Sequence, residues 1–302
     1  MQKYIFLLFL FIGISFHSQA QFSKKDSVFI QRMEDTIKVY GDTMVNSQTE
    51  ENRFIASYRI VKNLVSILKI KNSYQYQLDS LLPMQILNSP DNKFRIFTWF
   101  VINDNQQYRY FGAIQMNSDT LSLFPLVDYS EFIEKPETQT VDNNNWYGAL
   151  YYQIVPVKQK KKTYYMLLGS NGFTLVSNKK VMDVLWFSED NKPRFGAPLI
   201  EKDNKTLNRF ILEFSNDTWA ALRYVPEETK IIYDHVLPND EDLVGFFSQY
   251  LPDGTYEGFQ WKKGKWHHID MIEYQKREDG EAPNVQKKEK IDYKNLYKKK
   301  VQ

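Results

Sequence analysis

Cysteine is absent from all 302 residues of this chain. The absence excludes disulfide bonds, a thiol nucleophile and the acylated N-terminal cysteine of a lipoprotein. A domain without disulfides depends on the burial of apolar surface for its stability. The sequence supplies that surface with 21 Phe, 20 Tyr and 6 Trp, which make 16% of the chain aromatic. We therefore expect a folded protein with a sizeable core.

Glycine is also scarce, at 12 residues. The chain contains no Gly-x-Gly-x-x-Gly fingerprint and no P-loop, which excludes the usual phosphate cradles of dinucleotide-binding enzymes and NTPases. A Gly-x-Ser-x-Gly nucleophile elbow is missing as well. We therefore predict that the protein uses no cofactor.

The chain also lacks an excess of one charge, because its 39 Lys and Arg nearly balance its 37 Asp and Glu. A net charge of +2 produces no field that would draw nucleic acid to the whole protein. Two local runs are basic, namely Lys158 with 160–162 and the stretch from Lys287 to the end. Such runs bind anionic polymers, for example surface polysaccharide or lipid phosphates, or they are solvated loops that keep a sheet edge from pairing.

The first 20 residues have the pattern of a cleavable export signal. Lys3 is followed by an apolar run over 4–16, and Ser18 and Ala20 stand at the positions that signal peptidase reads. The alternative, a membrane anchor, needs roughly twenty apolar residues to cross the bilayer, and this run is shorter. We predict cleavage after Ala20, a periplasmic or secreted protein, and no transmembrane span after cleavage.

Helical spacing dominates residues 21–90. Two sets of apolar residues recur at steps of three and four, which predicts a helical hairpin: Phe29, Met33, Ile37, Tyr40 and Met44, then Phe54, Tyr58, Val61, Val65 and Leu68. Ser23 with Asp26 and Ser47 with Glu50 have the spacing of capping boxes. A third, shorter helix is predicted from Ser73 to Leu82, where Pro83 would end it.

Strand patterns take over in residues 91–272. The segment 93–102 carries apolar residues in both alternating rows, which predicts a strand covered on both faces. Successive hairpins follow with no helix between them, including pairs at 173–176 with 181–187 and at 209–214 with 219–224. The fold class is α+β with a mainly antiparallel β domain, arranged as a sandwich or curled meander, with a barrel or small propeller as alternatives. Residues 273–302 form a basic tail, exposed or partly helical.

Residues of the types that serve in catalysis or metal binding are concentrated near the end of the β region. Metal ligation would draw on imidazoles and carboxylates, here His235, His267, His268 and Asp270. Neighbouring residues on a strand point to opposite faces, so His267 and His268 do not serve one site together. We therefore predict no metal site, and assign these residues to the surface.

A glycoside hydrolase would need two carboxylates across a cleft. Asp234, Asp253 and Glu257 are the candidates for such a pair. The alternative for the segment that contains Asp253 is a turn, because Pro252-Asp253-Gly254 has the composition of one. We assign no catalytic residue.

Four strings carry a resemblance over about 145–270: Lys192 to Pro198, Arg209 to Ser215, Tyr233 to Pro238 and Pro252 to Phe259. In these the chain resembles a group of exported β-rich proteins of unknown function from Bacteroidota. The resemblance implies an envelope location in a Gram-negative cell and brings no activity or catalytic residues. It also implies that Gly196, Gly254 and Gly258 stand where a Cβ would clash.

These observations favour a non-enzymatic exported envelope protein whose β domain offers a binding or interaction surface. Its partner would be another envelope protein or a polysaccharide. The alternative is a hydrolase of glycan or another envelope polymer that works through paired carboxylates.

Overall fold

The computed structural model describes residues 22–78, 81, 83–172 and 174–272. The predicted signal sequence and the predicted basic tail lie outside these residues. Two helices precede three mainly antiparallel sheets, which confirms the α+β class. Each sheet in the described part is open, with two edges, so the closed barrel that the sequence allowed does not occur there. No described helix is long and apolar enough to span a bilayer.

The helical hairpin consists of α1 (Lys24–Asn46) and α2 (Glu50–Leu68). The Ser23 hydroxyl caps α1 by accepting a hydrogen bond from the Asp26 N–H at 3.1 Å. The second helix is capped by Thr49 rather than by Ser47, because Ser47 ends α1 and donates its own N–H to the Thr43 carbonyl.

The third predicted helix is wrong, since among the described residues of 73–82 only a 3₁₀ turn at Ser73–Gln75 forms. The carbonyls of Ser73 and Tyr76 accept hydrogen bonds from the buried Arg95 guanidinium at 3.0 and 2.7 Å. A continuing helix would occupy those carbonyls with its own N–H groups, so the buried cation favours the open turn.

Sheet 1 has the order β1-β2-β3-β4 and packs on the helices. Its strands are β1 (Gln85–Asn88), β2 (Phe94–Ile102), β3 (Tyr108–Met116) and β4 (Leu123–Val127). The predicted hairpin of β2 and β3 is confirmed. The first strand begins before residue 90, where the sequence placed the end of the helical region.

Sheet 2 has the order β5-β9-β8-β7-β6, with β12 pairing the free part of β8. Its strands are β5 (Val141–Asp142), β6 (Leu150–Gln159), β7 (Lys162–Asn171), β8 (Ser177–Phe187), β9 (Pro193–Phe195) and β12 (Arg209–Ser215).

Sheet 3 has the order β11-β10-β16-β15-β14-β13. Its strands are β10 (Ile200–Lys202), β11 (Lys205–Leu207), β13 (Leu222–Val225), β14 (Lys230–Pro238), β15 (Tyr250–Lys262) and β16 (Lys265–Ile269). Strands β10 and β16 run parallel, unlike the other pairs.

The layers follow the order helices, sheet 1, sheet 2, sheet 3, with one apolar cluster between each pair. Strand β2 shows how the alternation serves two clusters: Phe97 and Trp99 face the helices, while Phe94 and Ile96 face sheet 2. In the same way Met166 of β7 packs toward sheet 3 and Leu167 toward sheet 1. The prediction that segment 93–102 is covered on both faces is confirmed.

Two predicted hairpins are wrong. Residues 177–187 form one continuous strand, β8, where the sequence suggested a turn at 177–178. Strands β12 and β13 do not pair with each other, because β12 joins β8 in sheet 2 and β13 joins β14 in sheet 3. Local periodicity identifies strands but does not identify partners that lie in different layers.

Glycine positions are explained by two different constraints. At Gly196, where φ is +87°, a Cβ would lie 2.5 Å from the Gln139 carbonyl oxygen, and at Gly258 one would lie 2.4 Å from the Ile231 oxygen. Both clashes were expected. At Gly254 the expectation of a clash is wrong, because the space is open; there the positive φ of +86° is what favours glycine.

Candidate functional site

Glu257 is the centre of a polar cluster on sheet 3. It stands opposite Tyr233 in the pairing of β14 with β15, and His268 lies on the neighbouring β16. Its Oε2 accepts a hydrogen bond from the Tyr233 hydroxyl, lies 3.0 Å from Lys202 Nζ and lies 2.9 Å from His268 Nε2. Four strands therefore converge on one carboxylate.

Two further carboxylates hold the histidines of this cluster. His235 lies 2.9 Å from Asp253 through Nδ1 and 3.6 Å from Glu257 Oε1 through Nε2. His268 lies 3.0 Å from Asp270 through Nδ1. The structure thus brings together most of the polar residues that the sequence singled out.

Asp234 and His267 do not join the cluster. Asp234 accepts a hydrogen bond from the Ala221 N–H at 2.6 Å and so fixes the approach of the chain to β13. His267 Nε2 lies 3.2 Å from the Lys262 carbonyl oxygen, whereas its neighbour His268 contacts Glu257. The two adjacent imidazoles make separate contacts, in keeping with the alternation expected of a strand.

The cluster keeps its carboxylates ionised. Burial alone would raise the pKa of Glu257, but hydrogen bonds with Tyr233, His268 and Lys202 outweigh it and lower the pKa to about 2. Burial would likewise raise the pKa of Asp253, yet its bonds to His235 and to the Thr255 backbone lower it to about 2. Neither carboxyl carries a proton near neutral pH.

The phenol of Tyr233 is the matching donor. The pKa of Tyr233 lies well above its ordinary value, chiefly because the side chain is buried. The hydrogen bond to Glu257 and the negative charge of that carboxylate raise it further. The hydroxyl therefore stays protonated and stabilises the ionised carboxylate.

Glu257, His268 and Asp270 have ligand atoms within 4.8 Å of one another, which is the spacing of a metal site. Lys202 already places an ammonium 3.0 Å from the central carboxylate, and the Asp270 side chain is 86% exposed. A cation would compete with that lysine, so the donor set fits a divalent ion poorly. The ion-paired network accounts for these residues without a metal.

Sequence reasoning named neither Lys202 nor Tyr233 as a site residue. Lys202 ends a three-residue strand, β10, and reaches the cluster only through the parallel pairing with β16. Tyr233 stands beside Asp234 in the chain, at the start of one of the resemblance strings. No local pattern marks either residue.

An open depression of about 470 Å³ lies at the β5–β9 edge of sheet 2. Its lining combines aromatic and polar side chains: Tyr129, Phe132, Ile133, Gln139, Thr140, Val141, Asp142, Asn145, Trp186 and Arg194. We call it the aromatic groove. Tyr129 and Phe132 are 40% and 62% exposed, and their ring centroids are 4.7 Å apart.

Polar groups in the aromatic groove are held in place by the fold. Asp142 and Arg194 are cross-strand partners of β5 and β9, and their charged atoms lie 3.4 Å apart. The Asp142 carboxylate also accepts hydrogen bonds from the N–H groups of Asn144 and Asn145 at 2.9 and 3.2 Å. The ion pair is therefore oriented by backbone contacts on one side.

Two lining residues of the aromatic groove, Trp186 and Thr140, are anchored at Gly196. Its carbonyl accepts hydrogen bonds from Trp186 Nε1 at 3.1 Å and from the Thr140 hydroxyl at 3.0 Å. Segment 139–140 packs directly on this glycine, which is why a Cβ there would meet the Gln139 oxygen. The glycine of the resemblance string thus helps to hold two lining residues of the groove in place.

A fully buried ion pair fixes the loop that carries the aromatic residues. Arg209 lies 3.0 Å from Asp183 through Nη2, and both side chains are 0% exposed. Its Nη1 donates to the Pro136 carbonyl, between the aromatic pair and β5. Tyr151 donates to the other Asp183 oxygen at 2.9 Å. The groove loop is therefore tied to the core of sheet 2.

Sequence reasoning missed the aromatic groove. Its residues come from 129–145 and from 186–194, and the short pairing of β5 with β9 brings these two distant segments together. Comparison with protein-family models, with curated proteins and with solved structures finds no match.

Proposed function

We propose that this protein is an exported, non-catalytic binding protein of the cell envelope, and that the aromatic groove binds a carbohydrate chain. The observation that carries the proposal is the exposed pair of Tyr129 and Phe132 beside the oriented Asp142 and Arg194. A sugar ring has an apolar C–H face that packs on aromatic rings and hydroxyl groups that bond to charged side chains.

The groove is suited to binding because its polar groups are already ordered. Asp142 is held by backbone N–H groups, and Trp186 is held by the Gly196 carbonyl. A site whose side chains are fixed before the ligand arrives loses less conformational entropy on binding.

The alternative of glycoside hydrolysis finds less support. The reaction needs one carboxylic acid that can protonate the leaving oxygen. Glu257 and Asp253 both have a pKa of about 2 and so are ionised. Asp234 is engaged by a backbone N–H. The carboxylate cluster is better explained as a stabilising network of sheet 3.

The test compares two phenylalanines of equal exposure. Phe132 lies in the aromatic groove and Phe246 lies outside its lining, and each is 62% exposed. We expect wild-type protein to bind at least one soluble polysaccharide from a panel of β-glucan, xylan, mannan and polygalacturonate in affinity electrophoresis. Phe132→Ala should weaken that binding about ten-fold, which corresponds to about 1.4 kcal/mol of aromatic contact.

Phe246→Ala should leave the binding unchanged. The proposal is contradicted if wild-type protein binds no member of the panel, or if the two alanine variants behave alike. Thermal melts of both variants show whether each remains folded.

A further inference from the structure

A second depression adjoins the aromatic groove. It measures about 530 Å³ and is lined by Lys162, Trp186, Ser188, Glu189 and Asp190. Trp186 lines both depressions, so they form one continuous surface with this ring between them. A ligand longer than a single sugar would extend from one depression into the other.

The second depression leads to a cationic surface. Lys162 Nζ lies 3.4 Å from the centroid of a Trp186 ring. Just before it, the turn between β6 and β7 consists of Lys160 and Lys161, and Lys158 precedes them on β6. In the part of the chain that the structure describes, none of these four lysines forms an ion pair.

A second lysine turn stands beside the first. Gln159 donates a hydrogen bond from Nε2 to the Gly264 carbonyl at 3.0 Å, which joins the β6–β7 turn to the β15–β16 turn. Lys262 ends β15 and Lys263 lies in the β15–β16 turn, and both are exposed. The six lysines 158, 160–162, 262 and 263 are called the lysine patch below.

The backbone at these turns is unusual for lysine. Lys160 and Lys263 have φ values of 54° and 50°, a region in which Asn and Gly are preferred in two-residue hairpin turns. The chain therefore accepts backbone strain at two neighbouring positions and also gathers like charges there. Nearby, Asp190 is already paired with Lys192 at 2.8 Å, and the other acidic residue of the lining, Glu189, interacts electrostatically with Lys162.

On these grounds we infer that the ligand of the aromatic groove is an acidic polysaccharide rich in uronic acid, which runs from Tyr129 and Phe132 across Trp186 to the lysine patch. The inference rests on the proposed function and specifies the substrate class of the same site. Aromatic rings fit the sugar faces, and the lysines fit the carboxylates that such a chain repeats along its length. A simple phosphate or a lipid headgroup would use the lysines alone.

The decisive probe is oligogalacturonate compared with its own methyl ester, because the two share the sugar backbone and differ in charge. An oligomannuronate and its ester make a second pair. By isothermal titration at low salt we expect wild-type protein to bind each free acid at least ten-fold more tightly than its ester. Raising the salt should reduce the difference, since exposed charges are screened.

The test variant replaces lysines of the patch by asparagine at the two positions where φ is positive. In the double variant Lys160→Asn with Lys263→Asn, both turns keep their positive φ at a residue that tolerates it, so the fold is retained. We expect about five-fold weaker binding of the free acids and unchanged binding of the esters. The matched control, Lys24→Gln with Lys25→Gln at the exposed start of α1, removes the same charge and should change neither.

The outcomes separate the two claims. Equal binding of acid and ester, with Phe132→Ala weakening both, overturns the acidic ligand but leaves the carbohydrate function standing. If the protein binds neutral polysaccharides of the panel but not the acidic ones, the acidic ligand is likewise overturned and the carbohydrate function stands. Binding of inorganic phosphate or anionic vesicles that depends on the lysines and not on Phe132 overturns the inference in favour of a simple anion. No binding of any polysaccharide overturns both claims.

Discussion

Replacing Glu257 by Gln removes the negative charge on which Lys202, Tyr233 and His268 converge. The carboxylate has a pKa of about 2 in the fold, against its ordinary value of 4.5. Each pH unit of difference is worth about 1.4 kcal/mol, so ionisation here stabilises the folded state by about 3 kcal/mol at pH 7. The side chain is 17% exposed, so screening by solvent is modest.

The sign of the pH dependence follows from the lowered pKa. A carboxyl whose folded pKa lies below its unfolded value contributes stability that is complete above about pH 4.5 and is lost as the pH falls toward 2. Urea unfolding of wild-type protein at pH 7, 5, 4 and 3 should show this loss. Glu257→Gln should cost about 3 kcal/mol at pH 7 and should lose less with acid than wild type does.

Glu134→Gln is the matched control, because Glu134 is exposed. It should change the free energy of unfolding by less than about 0.5 kcal/mol. A cost below about 1 kcal/mol for Glu257→Gln, or an acid-dependent loss as steep as that of wild type, would refute the reasoning.

Three further predictions test the fold and the export signal. Gly258→Ala should destabilise the protein by several kcal/mol in urea unfolding, because the added Cβ would meet the Ile231 oxygen. Gly254→Ala should cost about 1–2 kcal/mol, because the space there is open and only the positive φ disfavours alanine. Equal costs for the two variants would contradict this account. Arg209→Ala should cost about 3–5 kcal/mol because it leaves Asp183 charged and buried, and a cost below about 1 kcal/mol would show that the ion pair is not needed. N-terminal sequencing of the exported protein should begin at Gln21, and an intact Met1 would overturn the signal prediction.

The helical hairpin and the first β hairpin could be predicted from the sequence because their contacts are local. The steps that place Ile37 and Met44 on one face of α1 also bury them, and the two apolar rows of β2 reflect the layers on either side of it. The order of strands in sheets 2 and 3 could not be predicted. It depends on pairings such as β10 with β16 and β8 with β12, which join distant segments.

The same distinction between local and distant contacts applies to the candidate sites. Residues of the polar cluster that lie on β15 and β16 were named from the sequence, because titratable groups are conspicuous there. Lys202 was missed, since it enters through a three-residue strand. The aromatic groove was missed for a related reason: an exposed Phe132 becomes meaningful only beside Arg194, and 62 positions separate them in the chain.

Determination of a crystal structure with bound oligogalacturonate tests the central claim most directly. The account predicts sugar rings packed on Tyr129 and Phe132, hydroxyl groups within hydrogen-bond distance of Asp142 or Arg194, and carboxylates directed toward the lysine patch. An oligosaccharide bound at the Glu257 cluster, with the aromatic groove empty, would contradict it.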